Sequence, residues 1–488
     1  MLVSRREWLR SATAAACGGG LGMAASCATD LARLTGDGRK PNIIFILADD
    51  LGYGDLGCYG QERVKTPHLD SMAREGIRFT QCYAGSTVCA PSRCVLMTGL
   101  HTGHCRVRGN ARVPLRPEDV TVAELLQSAG YATGLIGKWG LGNEETTGIP
   151  RRQGFDYFFG YLDQGHAHNY YPDFLWRNEE KVPLPENVQD TANPGVAVER
   201  KTYSHDLLAE DALRFVEHHR DHPFFLYLSF TTPHANNEGG RATGNGMEVP
   251  DYGPYANEPW PEPQKGHAAM ITLMDRDIGR LFDKLKALGI DENTVVFFSS
   301  DNGPHKEGGA DPAFFSSSGP LRGYKRDLYE GGIRVPGIVR WPGKLHPGVS
   351  NHVWSFADFL PTACDLAGID TPPGLDGISI MQTFRNHGLG GIKRMQMTHE
   401  FLYWEFHEKG SKQAVRAGDW KAFRLEPNAP LELYNLAEDI GETNNVASRH
   451  PEVVNRIEEY LKTARTENEH WPLRSPSAEE RQQPRDPR

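Results

Sequence analysis

The 488 residues carry 53 basic and 63 acidic side chains, a formal net charge of −10, with 24% charged, 39% apolar and 10% aromatic residues. That balance describes an ordinary globular chain and excludes a disordered, fibrous or many-span membrane protein, and without a basic excess it argues against nucleic acid as a partner. Glycine (52) and proline (33) together make about one residue in six, which predicts many ordered turns, and the length suits one large α/β unit with an appendage.

The chain opens on a twin-arginine run, Ser4-Arg5-Arg6-Glu7-Trp8-Leu9-Arg10, followed by a small-residue apolar stretch from Ser11 to Ser26 that is shorter than the ~20 residues of a membrane span. Residues 1–30 therefore resemble a twin-arginine signal peptide, which implies the twin-arginine translocase as a partner and an exported protein, periplasmic or held to a membrane as a lipoprotein. Ala24-Ala25-Ser26-Cys27 is a degenerate lipobox with Ala24 where a large aliphatic residue is usual, so lipidation at Cys27 stays open. Cargo of this route folds before export, so the eight cysteines (17, 27, 58, 82, 89, 94, 105 and 364) need no disulfide framework. None has the spacing of a zinc site.

Past residue 40, apolar β-branched and aromatic runs alternate with amphipathic stretches, the pattern of a βαβ chain with a mostly parallel sheet. Four runs predict buried strands: Asn42 to Ala48, Tyr131 to Gly137, Pro223 to Phe230 and Thr294 to Ser300. They stop at Asp49-Asp50, Lys138, Thr231-Thr232-Pro233-His234 and Asp301-Asn302. Ligands of open α/β sheets lie outside the carboxyl ends of the strands, so these endings bring a metal- and anion-binding set to one edge. Helices are predicted over Val120 to Ala129, His205 to His219 and Ala268 to Leu288, the last with apolar residues three and four apart; its Asp275 and Asp277 read as solvated or structural. After Pro361 to Pro373, Tyr403-Trp404-Glu405-Phe406 and Trp420-Lys421-Ala422-Phe423 read as a β-hairpin flanking a glycine-bearing turn. Glu432 to Leu436 adds a strand and Val453 to Ala464 a helix. The expected organisation is a catalytic unit over 40–370, a C-terminal α+β subdomain with an antiparallel sheet over 371–465, and a mobile tail over 466–488.

The sharpest motif is Cys89-Ala90-Pro91-Ser92-Arg93-Cys94-Val95-Leu96-Met97-Thr98-Gly99. Pro91 and Ser92 suit a helix start, which sets Cys89 at a helix N-terminus, where free N–H groups favour an anion. Arg93 lies one turn on along the same face. The string resembles the signature C-x-P-S-R-x-x-L-x-T-G of the type I, formylglycine-dependent sulfatases, an arylsulfatase-like branch of the alkaline-phosphatase-like superfamily. The arginine that often follows Thr-Gly is here Leu100. The resemblance, over roughly residues 40 to 465, implies an α/β sandwich: a mostly parallel central sheet flanked by helices. It also implies that a formylglycine-generating maturation enzyme oxidises Cys89 to Cα-formylglycine, an aldehyde hydrated to a geminal diol.

Residue by residue, the resemblance implies that Asp49, Asp50, Cys89, Asp301 and Asn302 surround one Ca²⁺, a cation that carboxylate and amide oxygens favour on their own chemistry. It implies Lys138, Lys325 and Arg93 on the sulfuryl oxygens and His234 at the leaving oxygen. The activity implied is hydrolysis of a sulfated saccharide or small sulfate ester; the alternatives are a phosphate mono- or diester hydrolase of the same superfamily and a non-catalytic sulfoglycan-binding protein. One motif departs from the family. Where its lysine segment reads G-K-W-H-L-G, with the histidine assigned to deprotonating the second diol hydroxyl, this chain has Gly137-Lys138-Trp139-Gly140-Leu141-Gly142. His166 and His168 are candidates for that base or for substrate binding, His305 is a candidate for substrate binding, and His104 is a further place to seek the base.

Overall fold

The computed structural model describes residues 39–391 and 394–482; the expected signal peptide and lipobox lie outside them. All four predicted strands form, and they are neighbours. Asn42–Ala48 pairs in parallel with Thr294–Ser300 on one side and Phe224–Ser229 on the other, and Phe224–Ser229 pairs in parallel with Ala132–Lys138. Ala48 stands opposite Ser300, and Leu47 opposite Ser229, so the chain leaves the sheet at Asp49, at Asp301 and just before Thr231 along one edge. The apolar runs are continuous because both faces of a parallel sheet are covered. Arg334–Arg340 and Ile77–Tyr83 extend the sheet antiparallel on one flank, and Phe174–Arg177 and Glu180–Pro183 do so on the other, within an 11-stranded sheet among the described residues.

Alternate side chains of each strand feed opposite faces. Ile43, Phe45 and Leu47 pack in a core with residues of the helices Cys89–Thr98, Val122–Ser128 and Phe359–Ala367; Ile44 and Ile46 pack in another with Pro67–Glu75, Ser204–His218 and Glu262–Ala287. The fold is thus the expected α/β sandwich. Glu262–Ala287 starts ahead of the predicted Ala268 because Pro263 occupies its first turn, where a missing N–H costs nothing. Asp275 accepts the N–H groups of His68 and Leu69 at 3.1 and 2.8 Å, and Asp277 binds Arg276, Arg280 and His205. Both are structural.

The C-terminal sheet is antiparallel in the order Leu402–Phe406, Lys412–Ala417, Trp420–Arg424, Glu432–Asn435. The predicted hairpin is corrected to three strands: Lys412–Ala417 lies between its two arms, pairing Val415 with Tyr403 and with Ala422. This strand lacks a clean alternation because Gln413 and Arg416 are buried on polar partners, Gln413 on the Tyr403 hydroxyl and Arg416 on Tyr83 and Gln81. The helix Pro451–Leu461 covers the sheet through Val453, Ile457 and Leu461. Buried contacts join sheet and catalytic unit: Trp404 Nε1 to the Ala84 carbonyl at 2.9 Å, Arg108 to Glu405 at 3.0 Å, and Lys421 to Glu330 at 2.9 Å.

From residue 466 to 482 the tail contacts the body of the protein and ends in a short helix. Arg108 donates to the Thr466 carbonyl, Trp471 is buried with its indole N–H on the Arg106 carbonyl, and Ala478–Gln482 is helical. The six described cysteines are free thiols, and no described helix is long and apolar enough to cross a membrane.

Candidate active site

The strand ends interlock through backbone bonds. Asp49 N–H donates to the Thr232 carbonyl at 3.1 Å, and Asp50, in the left-handed region at φ 67°, donates its N–H to Asp301 Oδ1 at 3.1 Å. Onto this frame the side chains close. Lys138 Nζ donates to Asp49 Oδ2 and Lys325 Nζ to Asp50 Oδ2, both at 2.7 Å, while Asn302 Nδ2 donates to Asp50 Oδ1 at 2.7 Å. The helix Cys89–Thr98 is buried along its whole length and ends on Gly99 at φ 67°, whose N–H reaches the Val95 carbonyl. No side chain of Val88 caps its start; Asn110 Oδ1 takes the Ala90 N–H at 3.1 Å. Cys89 Sγ lies 3.3 Å from Asp49 Oδ1.

That environment defeats a thiolate. Burial, then the Asp301 and Asp49 carboxylates, push the Cys89 thiol well above its ordinary value, so the unmodified side chain is not a nucleophile near neutral pH.

The Arg93 guanidinium is held by partners within the protein. Its Nε and Nη2 bind Asp301 Oδ2 at 3.1 and 2.8 Å, its Nη1 binds the Lys138 carbonyl at 2.8 Å and Ser229 Oγ, and Nη2 is also 3.5 Å from Asp49 Oδ2. With its donors so committed and no exposed surface, Arg93 positions Asp301 and the Lys138 strand end. Ser229, which the sequence reading passed over, completes this clamp by donating to the Lys138 carbonyl at 2.7 Å.

Asp49, Asp50 and Asp301 are wholly buried within reach of one another. Burial alone would raise Asp49, but Lys138, His234 and Arg93 hold it well below the usual carboxylate range. Asp301 goes the other way, pushed up to about 7 by burial and then by Asp49. Asn302 Oδ1 is buried with no hydrogen-bond partner. An orphaned amide oxygen beside three carboxylates fits a hard divalent cation, with oxygen donors and no soft ligand required.

The histidines separate into different roles. His234 Nδ1 lies 2.7 Å from the Ala235 carbonyl, and its Nε2 faces Lys325 Nζ at 3.1 Å; burial and then Lys325 depress it to about 3. It is therefore neutral and accepts from the Lys325 ammonium. His168 comes to the same place: its ring stacks on His234 at 4.7 Å, and its Nδ1 is 3.0 Å from Glu238 Oε2. His166 does not. Its ring packs between Tyr161 and Phe174, and burial lowers its pKa. His305 is buried, with Nδ1 accepting the Glu307 N–H and Nε2 on the Pro233 carbonyl, which leaves no ring nitrogen for a substrate. His104 is bound to Asp376 at 2.9 Å and stacks on His101 beyond the far end of the Cys89 helix. Because His101 Nδ1 accepts the Gly103 N–H, its Nε2 carries the proton, so this trio is a hydrogen-bonded cluster. Two further groups escaped the sequence reading: Glu307, 3.1 Å from Lys325 Nζ, and Gln164. Their only sequence signal is proximity to His305 and His166.

Gln164 explains position 140. Gly140 has φ 78°, and a Cβ there would meet Gln164 Nε2 at 2.8 Å. The amide thus fills the space beside Gly140, and neither His166 nor His168 is shown there. Gly140→His is expected to cost about 1–2 kcal/mol through its left-handed backbone and not to raise turnover, as urea unfolding and steady-state rates would show. Faster turnover would mean that a base at 140 is what the chain lacks.

The family described as Sulfatase matches residues 41–369, and the one described as N-sulphoglucosamine sulphohydrolase, C-terminal, matches 323–467. Arylsulfatase A of Homo sapiens is 34% identical over 475 residues, covering 86% of this chain and 87% of its own. An N-acetylgalactosamine-6-O-sulfatase of Bacteroides thetaiotaomicron is 30% identical, covering 88% of this chain and 94% of its own. Among solved structures, Ps i-CgsB in complex with k-i-k-neocarrahexaose superposes with a TM-score of 0.73 at 28% identity, over 91% of this chain and 96% of that one.

Proposed function

The chain belongs to the sulfatase family and is a sulfuric ester hydrolase, and from that premise we propose that it hydrolyses sulfated saccharides at residue 89, with Cys89 converted to formylglycine and one Ca²⁺ held by Asp49, Asp50, Asp301 and Asn302. The observation that carries this reading is a buried thiol whose ionisation burial and the Asp301 and Asp49 carboxylates oppose, set at a helix start 3.3 Å from Asp49 in a cluster where Lys138 binds Asp49 and Lys325 binds Asp50. Hydrated formylglycine would supply there the oxygen nucleophile that the thiol does not. Ca²⁺ would balance the carboxylate charge and draw electron density from oxygens bound to it.

This chain's own residues do the rest. Lys138, whose ammonium binds Asp49, brings donors to the sulfuryl oxygens. Lys325, with its three donors on Asp50, His234 and Glu307, adds positive charge beside them, and the donors of Arg93 are committed to Asp301 and the Lys138 strand end. The proton for the leaving alkoxide resides on Lys325, held well above its ordinary value by Asp50 and Glu307 against the opposing effect of burial. His234, neutral and in contact with that ammonium, passes the proton or orients its donor. His168, fixed by Glu238 against His234, lines the leaving-group side, where the saccharide departs. The saccharide itself is supported by the names of the relatives: an N-acetylgalactosamine-6-O-sulfatase, and a protein solved in complex with k-i-k-neocarrahexaose.

Parallel assays with an aryl sulfate and the matching aryl phosphate test the reading. Sulfate turnover well above phosphate turnover is expected; the reverse order would make the chain a phosphate ester hydrolase, and no turnover of either would leave a binding protein. Export in folded form, after a maturation enzyme has acted on Cys89, is supported by Arg5-Arg6 and the apolar stretch behind them. An Arg5→Lys, Arg6→Lys variant that still leaves the cytoplasm would remove that part.

A further inference from the structure

A cleft of about 610 Å³ opens beside the site at the seam between the Lys325 loop and the C-terminal sheet. One wall is the segment 322–329, which carries Lys325 itself; the other is formed by Phe406, Lys412, Phe423 and Glu432 from four different strands. Six basic residues line it against three acidic ones. In a chain whose net charge is −10, this local excess runs against the protein's overall field and focuses attraction for anions on one cleft.

Two of the acids and two of the cations are already engaged with one another or with other groups of the protein. Lys325 binds Asp50 and Glu307, and Arg326 binds Glu307 and Glu408; the cleft's further cations are Lys306, Arg322, Lys409 and Lys412. Glu408 binds Arg326 at 2.8 Å, and Glu432 accepts from the Tyr329 and Tyr434 hydroxyls at 3.0 and 2.6 Å. Among the cations, the ammonium of Lys306 lies 4.1 Å over the Tyr324 ring and that of Lys412 lies 5.3 Å from the centre of the Phe406 ring. Both lysines are half-buried, with rings beneath their charges. Aromatic walls with a few placed charges are what an extended ligand with apolar faces and anionic substituents requires. Lys325 lines the cleft and also contacts Asp50 and His234, so the cleft adjoins the site through this one side chain.

Resting on the sulfatase reading, we propose that this cleft is a second anion subsite that selects oligosaccharides carrying a further sulfate or carboxylate next to the ester being cleaved. Lys306 and Lys412, held over the Tyr324 and Phe406 rings, take the further anion.

The test compares one tetrasaccharide bearing two sulfate esters with the same tetrasaccharide bearing one, and an aryl sulfate as reference. The doubly sulfated substrate is expected to show kcat/KM at least about ten-fold above the singly sulfated one, the equivalent of a single good charged contact. In Lys306→Glu with Lys412→Glu that ratio should collapse towards unity through KM, with the aryl sulfate rate as the denominator that corrects for general damage. Lys306→Gln with Lys412→Gln, milder at two half-buried positions, should shift the ratio in the same direction. Equal kcat/KM for the two tetrasaccharides in the wild type, or an unchanged ratio in folded variants, would overturn the proposal while leaving the sulfatase reading in place. If the wild type turns over no sulfate ester, the sulfatase reading falls instead. The cleft is then judged by fluorescence anisotropy of the labelled doubly sulfated tetrasaccharide: binding lost in the charge reversal keeps the anion subsite, and equal binding removes it.

Discussion

Cys89→Ala is expected to lower hydrolysis of sulfate esters by roughly 10⁴-fold or more, the scale on which loss of a catalytic nucleophile acts, in a protein that still folds. The side chain is 2% exposed and its sulfur touches the Asp49 carboxylate, so alanine removes one thiol–carboxylate contact along with a small volume. The stability change should stay within about 1 kcal/mol. Steady-state rates and thermal unfolding on the same preparation decide it. A variant that keeps a tenth of the activity would dismiss residue 89 as the reacting group, and one that unfolds would make Cys89 a core residue.

Asp301→Asn should weaken Ca²⁺ binding by at least about 100-fold, because it removes one of three charged oxygen ligands. Chelation of the wild type should abolish activity in the same way. Asparagine retains an acceptor for Arg93, so this variant isolates the charge, whereas Asp301→Ala would also strand a buried guanidinium at a cost of about 3–5 kcal/mol. The pH dependence gives an independent reading. Folding raises Asp301 from 3.8 to about 7, first by burial and then through Asp49, so the metal-free native state keeps a proton that the unfolded chain gives up. The stability contributed by this group is whole below pH 3.8 and is lost as pH rises through about 7. In chelator, wild-type unfolding temperature should carry that downward contribution between those values and Asp301→Asn should lack it; added Ca²⁺ should stabilise the wild type most above pH 7. Normal activity in chelator, or restoration by Zn²⁺ alone, would contradict the assignment.

The strand ends were legible because fully buried parallel strands are written as unbroken apolar runs, and the first polar residue after each run marks the edge of the sheet. Asp49, Lys138 and Asp301 follow from that one regularity, whereas His234 lies three residues beyond the first polar residue, Thr231, and was legible only through the family resemblance. What the sequence hid depends on contacts between distant segments. The donors of Arg93 are committed to Asp301, Lys138 and Ser229, which nothing local to the Cys-x-Pro-Ser-Arg string declares. His166 and His168 sit two apart in one loop, yet a short 3₁₀ turn sends one ring among aromatics and the other onto His234. Lys412–Ala417 was hidden for a different reason: both its faces are buried, and Gln413 on one and Arg416 on the other serve buried polar partners, so the period of two is masked.

The claim on which all of this stands is that residue 89 of the working enzyme is an aldehyde. Its most direct test is the mass of the residue-89 peptide, taken from protein co-produced with a formylglycine-generating enzyme and shown to turn over aryl sulfate. The account predicts the formylglycine mass in a fraction of chains that rises and falls with specific activity. Fully active protein in which that peptide carries only the cysteine thiol would contradict it.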